Sequence, residues 1–302
     1  MRCPTLAELP SPPRDKSGWP WTEASPRLSD MMPDGRPWPK ISIVTPSYNQ
    51  EQFIEETIRS VLLQGYPNLE YVIIDGGSID DSVRIIKKYE KWISDWISEK
   101  DNGQSDAINK GFEIAAGSIM AWLNSDDLFA KDTLHLIATQ YKPGLKWWTG
   151  KILKLDRNGT LVSGNAKVTS VSYCELLHAR RIIHQVATFW TRELWNKSGR
   201  KVKPYHFAID YELWLRFSEL EKATPIDQSL GILRVHEQAK TGTIEKYRSY
   251  LAECDVVRLE EYRKHGISLF LRTILITFWT RYSLAKQGGW RDLFGRRAIP
   301  YV

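Results

Sequence analysis

Two adjacent carboxylates, Asp126 and Asp127, directly follow a run of apolar residues in the segment "SIMAWLNSDD". The apolar run is typical of a buried strand, and one acid is enough to cap the helix after such a strand. Hard divalent cations such as Mg²⁺ and Mn²⁺ bind oxygen ligands, commonly one or two carboxylates together with substrate phosphates. The pair therefore indicates a metal site, although an Asx-turn or a cap on a helix that begins near Lys131 would also explain it.

The elements that must position these acids follow a regular pattern in the first half of the chain. Short apolar runs alternate with amphipathic stretches, which predicts βαβ units and a mainly parallel sheet with helices on both faces. The predicted strands are 41–46, 70–75, 95–99 and 118–124, and the predicted helices are 51–65, 78–93 and 104–117.

Ligands of such sheets bind beyond the carboxyl ends of the strands. Polar residues stand at three of these strand ends in this sequence, so we expect them to converge on one edge. They are Ser47, Tyr48 and Asn49 after the first strand, Asp75 after the second, and Asp126 and Asp127 after the fourth.

The second half of the chain is less regular. A hairpin is predicted over 146–164, with its turn at Arg157, Asn158 and Gly159. Further strands are predicted over 184–190 and 231–236, a helix over 207–220, and two helical pieces over 243–285 that separate near Gly266.

Composition bounds the class of protein. The 302 residues are 42% hydrophobic, 12% aromatic and 26% charged, which is typical of a globular chain with one large domain or one domain plus appendages. Cys3, Cys174 and Cys254 lie far apart and suggest neither a disulfide framework nor a zinc site. The first residues also lack the apolar stretch of a signal peptide, so we expect a cytoplasmic protein. The net charge of +6 is modest, and no nucleic-acid partner is expected.

Both ends of the chain differ from this central region. Residues 1–38 are rich in Pro, Ser and Trp, which predicts an extended arm that Trp19, Trp21 and Trp38 pin onto the domain. Residues 241–302 are predicted to form a basic, helical C-terminal segment.

Part of the C-terminal segment is amphipathic. Its longest uncharged run near the end, Thr273 to Thr280, is too short for a membrane-spanning helix, which needs roughly 20 apolar residues. Residues 266–297 can instead contact an anionic membrane surface or pack on the domain as an ordinary terminal helix. The apolar stripe of this helix consists of Ile267, Leu271, Ile274, Phe278 and Tyr282.

Two long segments carry a resemblance to a known family. "PKISIVTPSYNQEQFIEETIRSVLLQGYPNLEYVIIDGGSIDDS" and "DNGQSDAINKGFEIAAGSIMAWLNSDD" resemble the start of a family 2 glycosyltransferase with the GT-A fold. Three later pieces, "IHQVATFWTRELWNKSG", "AIDYELWLRF" and "LRVHEQAKTG", follow in the order found in that family.

The resemblance implies a GT-A domain over 39–240, with a Rossmann-like nucleotide-binding half (39–140) and an acceptor half (141–240). It also implies an inverting transferase that uses a nucleotide-sugar donor, a UDP-sugar first of all, and a divalent cation, Mn²⁺ or Mg²⁺. The expected acceptor is a hydroxyl group of a glycan or of a lipid-linked saccharide.

The resemblance also assigns residues to the donor and the metal. Asp126 stands at the metal-binding second acid of the family's DxD motif, and His236 would complete the coordination or contact the diphosphate. Asn124 replaces the first acid of that motif, and Gly76 stands where many members have a second acid. The residues assigned to the donor nucleotide are Thr45, Pro46, Ser47, Tyr48, Asn49, Asp75, Asp106, Asp127 and Lys240.

Asp210 matches the position of the family's general base. The reaction requires one, because a carboxylate must take the proton of the attacking hydroxyl. Without the family, a cap on the helix that follows explains Asp210 equally well. His184, Gln185 and Glu212 are assigned to the acceptor side. Trp190 and Trp195 can offer a stacking surface for a sugar, whereas the helical spacing of Trp214 favours the core.

Two alternative functions are also compatible with the sequence. A non-catalytic module that binds nucleotide sugars or glycans would explain Asn124 and Gly76. Nucleotidyl transfer also uses paired acids on an α/β sheet, but the chain has no glycine-rich, basic phosphate loop of the kind typical of that chemistry.

Overall fold

One mixed sheet with helices on both faces organises the chain. The computed structural model describes residues 1–144, 146–156, 159–163, 168–178, 182–266, 271 and 274. In chain order the elements are β1 (Ile41–Ser47), α1 (Ile54–Leu62), β2 (Leu69–Asp75), α2 (Ser82–Tyr89), β3 (Asp95–Ser98), α3 (Gln104–Ile114), β4 (Ile119–Trp122), β5 (Leu128–Phe129), α4 (Thr133–Gln140), β6 (Trp147–Leu155), β7 (Leu161–Ser163), α5 (Tyr173–Leu177), β8 (Thr188–Thr191), α6 (Arg192–Lys197), α7 (Ile209–Leu220), β9 (Thr224–Arg234) and α8 (Ile244–Lys264).

The strand order brings the ends of the parallel strands to one edge of the sheet. The described strands follow the order β3-β2-β1-β4-β8-β6-β9-β5, with β7 beside β6. Strands β1 to β4 are parallel, and Ser47 of β1 pairs with Asp75 of β2, which pairs with Ser98 of β3. The carboxyl ends of β1, β2 and β3 therefore lie side by side, and β4, which pairs with β1 in parallel, ends on the same side of the sheet, so the polar ends predicted after the first, second and fourth strands share this edge.

The second half differs from the prediction in two places. The predicted strand over 184–190 is right only from Thr188, because Gln185–Ala187 forms a 3-10 turn first. The last strand, predicted over 231–236, already begins at Thr224 and ends at Arg234. Its first part was missed because Pro225 and the polar run Asp227 to Ser229 do not form the apolar pattern of a buried strand. Register shifts beside Gly150 and Lys151 of β6 also interrupt the pairing there.

A cluster of aromatic side chains fixes α7 on the sheet. The Trp214 ring stacks on Trp122 of β4 at 5.7 Å and on Trp147 of β6 at 5.6 Å between ring centroids. Trp190 and Trp195 are also buried, at 0% and 2% exposure. The prediction that these two rings offer a stacking surface for a sugar is therefore wrong, and the prediction of a core position for Trp214 is confirmed.

The N-terminal residues 1–38 lie against the domain, and the buried Arg59 of α1 holds them there. The Arg59 guanidinium donates to the carbonyl oxygens of Pro10, Pro20 and Trp21 at 2.9, 3.1 and 2.9 Å. Trp21 and Trp38 are buried, and Nε1 of Trp19 donates to the carbonyl of Phe129.

At the other end, α8 packs on α7. Nε of the buried Arg258 donates to the Tyr211 hydroxyl. Apart from residues 271 and 274, the predicted amphipathic helix after Gly266 lies outside the described residues. Among the described helices, none is both long and apolar enough to cross a bilayer.

Candidate functional site

The first part of the site is a contact between the two predicted metal ligands. Nε2 of His236, in the turn after β9, lies 3.0 Å from Oδ2 of Asp126, in the turn after β4. The His236 ring packs against the Phe53 ring at 4.6 Å, and its buried Nδ1 has no hydrogen-bond partner among the described residues. A carboxylate beside an imidazole with spare ligand capacity fits a divalent cation.

Arg234, the last residue of β9, holds this pair in place. Its Nε donates to the carbonyl oxygen of Asp126 at 2.9 Å, and its backbone N–H donates to Oδ1 of Asp127 at 2.9 Å. Its guanidinium also pairs with Glu56 at 2.7 Å. Sequence reasoning missed Arg234. The available signal was its position two residues before His236, on the strand that carries the histidine to the site.

Asp127 differs from its neighbour in environment. Its side chain is only 3% exposed, and burial together with the negative charge of Asp126 raises its pKa well above the usual range. The hydrogen bond from Arg234 opposes this shift. The Asp127 side chain therefore anchors the turn after β4 to β9. Its contact with the donor nucleotide stays a prediction.

The second part of the site is Asp210, in the first turn of α7. Removal of water around its half-buried carboxylate raises the pKa to about 6, and the nearby charge of Lys240 opposes the shift. Burial lowers the pKa of Lys240 to about 8, while Glu253, Asp210 and Asp126 each act in the opposite direction. The charges of Asp126 and Asp210 both act on Lys240, so the three groups lie close enough to interact, and a shared cleft for the two acids stays a prediction.

Glu253 of α8 organises the start of α7, which has no capping side chain of its own at Ala208. Its carboxylate accepts from the backbone N–H groups of His206, Phe207 and Ala208 at 2.9, 2.5 and 2.6 Å. Lys240 Nζ donates to the carbonyl oxygen of His206. Sequence reasoning missed Glu253, because nothing in its local pattern within a charged helix points to this contact.

The carboxyl end of β1 and the two residues after it carry the residues of the predicted nucleoside pocket. Thr45 is fully buried and bonds the Tyr71 hydroxyl at 3.1 Å, and Pro46 and Ser47 are buried beside it. Tyr48 follows with 59% exposure. Asn49, at a positive φ of 52°, donates from its backbone N–H to the Ser78 hydroxyl at 2.8 Å. Tyr48 is therefore the member of this group that offers an exposed ring to a ligand.

Asp75 is fully buried, and its own surroundings occupy its carboxylate. Oδ2 accepts from the backbone N–H groups of Gly77 and Ser78 and from the Ser98 hydroxyl at 3.2, 2.9 and 2.8 Å. Oδ1 accepts from the Ser78 hydroxyl at 2.5 Å. Asp75 therefore organises the loop after β2, and its predicted contact with the base or ribose is not tested by these bonds.

A cavity of about 290 Å³ opens between the start of α3 and the 201–206 loop. Lys240 and His206 line it together with Asp106, whose carboxylate accepts from the backbone N–H of Asn102 at 3.1 Å. Nearby, Asn124 accepts from the Gln104 side chain at 2.8 Å. Lys240, which lines this cavity, also interacts with the charge of Asp210, so the cavity adjoins the region of Asp210.

The three residues assigned to the acceptor side differ in accessibility. His184 is half-buried, and burial lowers its pKa to about 4, so the ring is neutral at physiological pH. Gln185 is 8% exposed and donates to the Trp122 carbonyl. Glu212 is 2% exposed and pairs with Arg216 at 2.7 Å and Lys203 at 2.9 Å. Glu212 therefore joins α7 to the 198–203 loop, and its burial argues against contact with an acceptor.

Comparison with known sequences gives consistent results. Residues 42–146 match the model of the Glycosyl transferase family 2. Over 186 residues the chain is 30% identical to an uncharacterized glycosyltransferase of Mycobacterium tuberculosis, covering 59% of this chain and 68% of that protein. Over 188 residues it is 29% identical to the chondroitin synthase of Escherichia coli, covering 60% of this chain but only 27% of that protein.

Solved structures share the fold. S. aureus TarS 1-349 in complex with UDP-GlcNAc superposes with a TM-score of 0.56 at 18% identity, over 72% of this chain and 66% of that one. The mannosyltransferase PcManGT from Pyrobaculum calidifontis, in complex with GDP-Man and Mn²⁺, superposes with a TM-score of 0.57 at 18% identity, over 87% and 79%. The predicted GT-A architecture is thereby confirmed.

Proposed function

Because this chain belongs to the family 2 glycosyltransferases, we propose that it transfers a sugar, with inversion, from a nucleotide donor to a hydroxyl group of a saccharide acceptor. The observation that carries the proposal is Lys240, whose charge interacts with Asp126 on one side and with Asp210 on the other. A metal-binding acid and a raised-pKa acid facing one cleft are what such a transfer requires.

Each residue of the cleft has a chemical task in this proposal. The acceptor oxygen forms a bond to the anomeric carbon, while the bond from that carbon to the diphosphate breaks and its electron pair leaves with the diphosphate. Asp210 takes the proton of the hydroxyl group. Lys240 places a positive charge beside the departing diphosphate. Arg234 holds the turn that carries Asp126 against the end of β9.

Asp126 and His236 would hold a divalent cation, Mn²⁺ or Mg²⁺. Such a cation supplies charge neutralisation for the diphosphate as it leaves. The support for this assignment is the 3.0 Å contact between the two side chains and the unused, buried Nδ1 of His236.

Similar proteins support the proposed donor and acceptor. TarS was solved with UDP-GlcNAc and PcManGT with GDP-Man, which supports a nucleoside diphosphate sugar as the donor, with a UDP-sugar as the first choice. The similarity to a chondroitin synthase supports a growing glycan or a lipid-linked saccharide as the acceptor. We also propose that the basic segment 266–297 contacts the cytoplasmic face of a membrane.

The test is to incubate the purified chain with a panel of sugar nucleotides, Mn²⁺ and candidate saccharide acceptors. We expect release of nucleoside diphosphate that EDTA abolishes. Release of pyrophosphate would instead indicate nucleotidyl transfer. Binding of a sugar nucleotide without release, even with acceptors present, would indicate a non-catalytic module.

A further inference from the structure

The strand that follows the two adjacent acids is short. Asp126 lies two residues before Leu128, the first residue of β5. His236 lies two residues after Arg234, the last residue of β9. Among the described strands, β5 stands at the end of the sheet order and pairs only with β9, over two residue pairs. The position of Asp126 relative to His236 therefore depends on what holds β5 against β9.

A small hydrophobic cluster joins β5 to β9 and is separate from the main core. It consists of the buried side chains of Leu128, Ala130 and Ile232. The half-buried ring of Trp19, in the N-terminal arm, packs against this cluster and also against the main core. Its Nε1 donates to the carbonyl oxygen of Phe129 at 2.9 Å. Trp19 thus contacts β5 through its side chains and also through a backbone acceptor on the open side of an edge strand.

The arm is firmly attached on both sides of Trp19. The backbone N–H groups of Trp21 and Thr22 donate to the Gly18 carbonyl at 2.7 and 2.8 Å, so residues 18–22 form a closed turn. The buried Arg59 of α1 donates to the carbonyl oxygens of the two residues after Trp19, at 3.1 and 2.9 Å. Because α1 and this turn hold the backbone in place, the Trp19 ring has a fixed position over β5.

The arm continues along the residues that follow β5. Glu23 pairs with Lys131 at 2.9 Å, but both side chains are exposed and such a pair contributes little. The backbone N–H of Asp132 donates to the hydroxyl of the buried Ser25 at 2.8 Å. Of these contacts, that of Trp19 lies closest along the chain to the turn that carries the two acids. The arm precedes residues 42–146, so this support comes from outside the part of the chain that matches the family model.

We propose that Trp19 is a positioning residue for the cation site. It holds β5 against β9 and thereby keeps the Asp126 carboxylate and the His236 imidazole facing one cation. This proposal rests on the proposed function, which assigns a divalent cation to these two side chains. Groups that orient metal ligands typically contribute about 10- to 100-fold to metal affinity. The N-terminal arm is therefore part of the cation site.

The test measures Mn²⁺ binding to the full chain by electron paramagnetic resonance, with UDP present throughout. Trp19→Phe keeps an aromatic ring on the small cluster but removes the indole donor. We expect it to raise the Kd for Mn²⁺ by about threefold to tenfold, the range for one lost hydrogen bond. Trp19→Ala also removes the ring and should raise the Kd by more than about tenfold. If Trp19→Ala does not fold, Trp19→Phe alone decides the test.

Trp38→Phe is the matched control, because it removes an indole donor from the same arm at a distance from β5. Nε1 of Trp38 also donates to a backbone carbonyl, that of Ser29 at 3.0 Å, and its ring packs against Tyr66 and His135. Trp38 is buried whereas Trp19 is half-buried, so Trp38→Phe should lower the Tm at least as much as Trp19→Phe. It should leave the Kd for Mn²⁺ at the wild-type value.

A second measurement follows the turn itself, without Mn²⁺ or nucleotide. Amide hydrogen exchange of peptides that span residues 123–132 reports how firmly β5 and the turn before it are held. Exchange in these peptides should be faster in Trp19→Phe than in wild type and in Trp38→Phe.

The results that contradict the proposal are distinct from those that contradict the function. Wild-type Mn²⁺ affinity in the Trp19 variants would overturn the role of Trp19 and leave the transferase function standing. An equal loss of Mn²⁺ affinity in Trp19→Phe and Trp38→Phe would do the same, because it would show a general effect of loosening the arm. If the wild-type chain binds no Mn²⁺, the cation site of the proposed function and this inference fail together.

Discussion

Nε2 of His236 lies 3.0 Å from Oδ2 of Asp126, although 110 residues of chain separate the two side chains. The exits of two strands, β4 and β9, bring them together, and Arg234 bonds the backbone of one exit to the other. This contact connects the part of the chain that matches the family model, residues 42–146, to a part that lies outside the match.

We expect His236→Gln to raise the Mn²⁺ concentration needed for half-maximal transferase activity, because the variant removes one of the two cation ligands. The measurement is the initial rate of nucleoside diphosphate release across a Mn²⁺ titration. His135→Gln, which changes a half-buried histidine of α4 that packs against Trp38, is the matched control and should follow the wild-type curve. An unaltered Mn²⁺ dependence in His236→Gln would remove this residue from the metal site.

Arg234→Gln should cost about 10- to 100-fold in Mn²⁺ affinity or in activity, the range for residues that orient metal ligands. It removes the ion pair with Glu56 and the bond from Nε to the Asp126 carbonyl, while the backbone bond to Asp127 can persist. Glu56→Gln breaks only the ion pair and should have a smaller effect. If Arg234→Gln and Glu56→Gln lose Mn²⁺ affinity or activity to the same extent, Arg234 acts only through its ion pair with Glu56.

The dependence of kcat/KM on pH should be bell-shaped. Asp210 must be deprotonated to accept a proton, and burial raises its pKa to about 6, so activity falls as the pH drops below that value. Lys240 must be protonated to oppose the diphosphate charge, and burial lowers its pKa to about 8, so activity falls again above that value.

Lys240→Arg checks the alkaline limb of this profile, because arginine stays charged throughout the accessible range. The variant should keep its activity above pH 8 relative to its own maximum. Thermal unfolding across the same pH range controls for loss of structure. An alkaline limb that is identical in wild type and variant would assign that limb to another group.

Glu253→Gln should move the alkaline limb to lower pH. The negative charge of Glu253 raises the pKa of Lys240, so removing the charge lets burial lower that pKa further. A purely structural role of Glu253 at the α7 N-terminus would reduce stability without moving the limb. Glu245→Gln, on the first turn of the same helix, is the control and should leave the profile in place.

Arg59→Ala should lower the free energy of unfolding by about 3 kcal/mol, because it leaves three backbone carbonyls of the N-terminal arm without their buried donor. Chemical denaturation measures the change. Arg84→Ala removes an exposed ion pair with Asp81 and should leave the free energy of unfolding close to that of wild type. Equal stability of Arg59→Ala and wild type would mean that the arm does not depend on this contact.

The sequence predicted the elements and polar strand ends of the first half well, because alternating apolar runs determine both the strands and the side of the sheet where they end. It could not predict Arg234 or Glu253. Arg234 reaches Asp126 and Asp127 across more than a hundred residues, and Glu253 bonds backbone groups 45 to 47 residues away. No local pattern marks such contacts.

The wrong prediction for Trp190 and Trp195 has a similar physical origin. Both residues lie in segments with polar neighbours, so their burial depends on how α7 packs across the sheet.

The most direct test of one shared cleft is to measure Mn²⁺-dependent nucleotide binding and sugar transfer on the same two variants. Asp126→Ala should lose both, whereas Asp210→Asn should bind the nucleotide like wild type and transfer sugar about 10²- to 10⁴-fold more slowly. Wild-type transfer by Asp210→Asn, or Mn²⁺-dependent binding that survives in Asp126→Ala, would contradict the account.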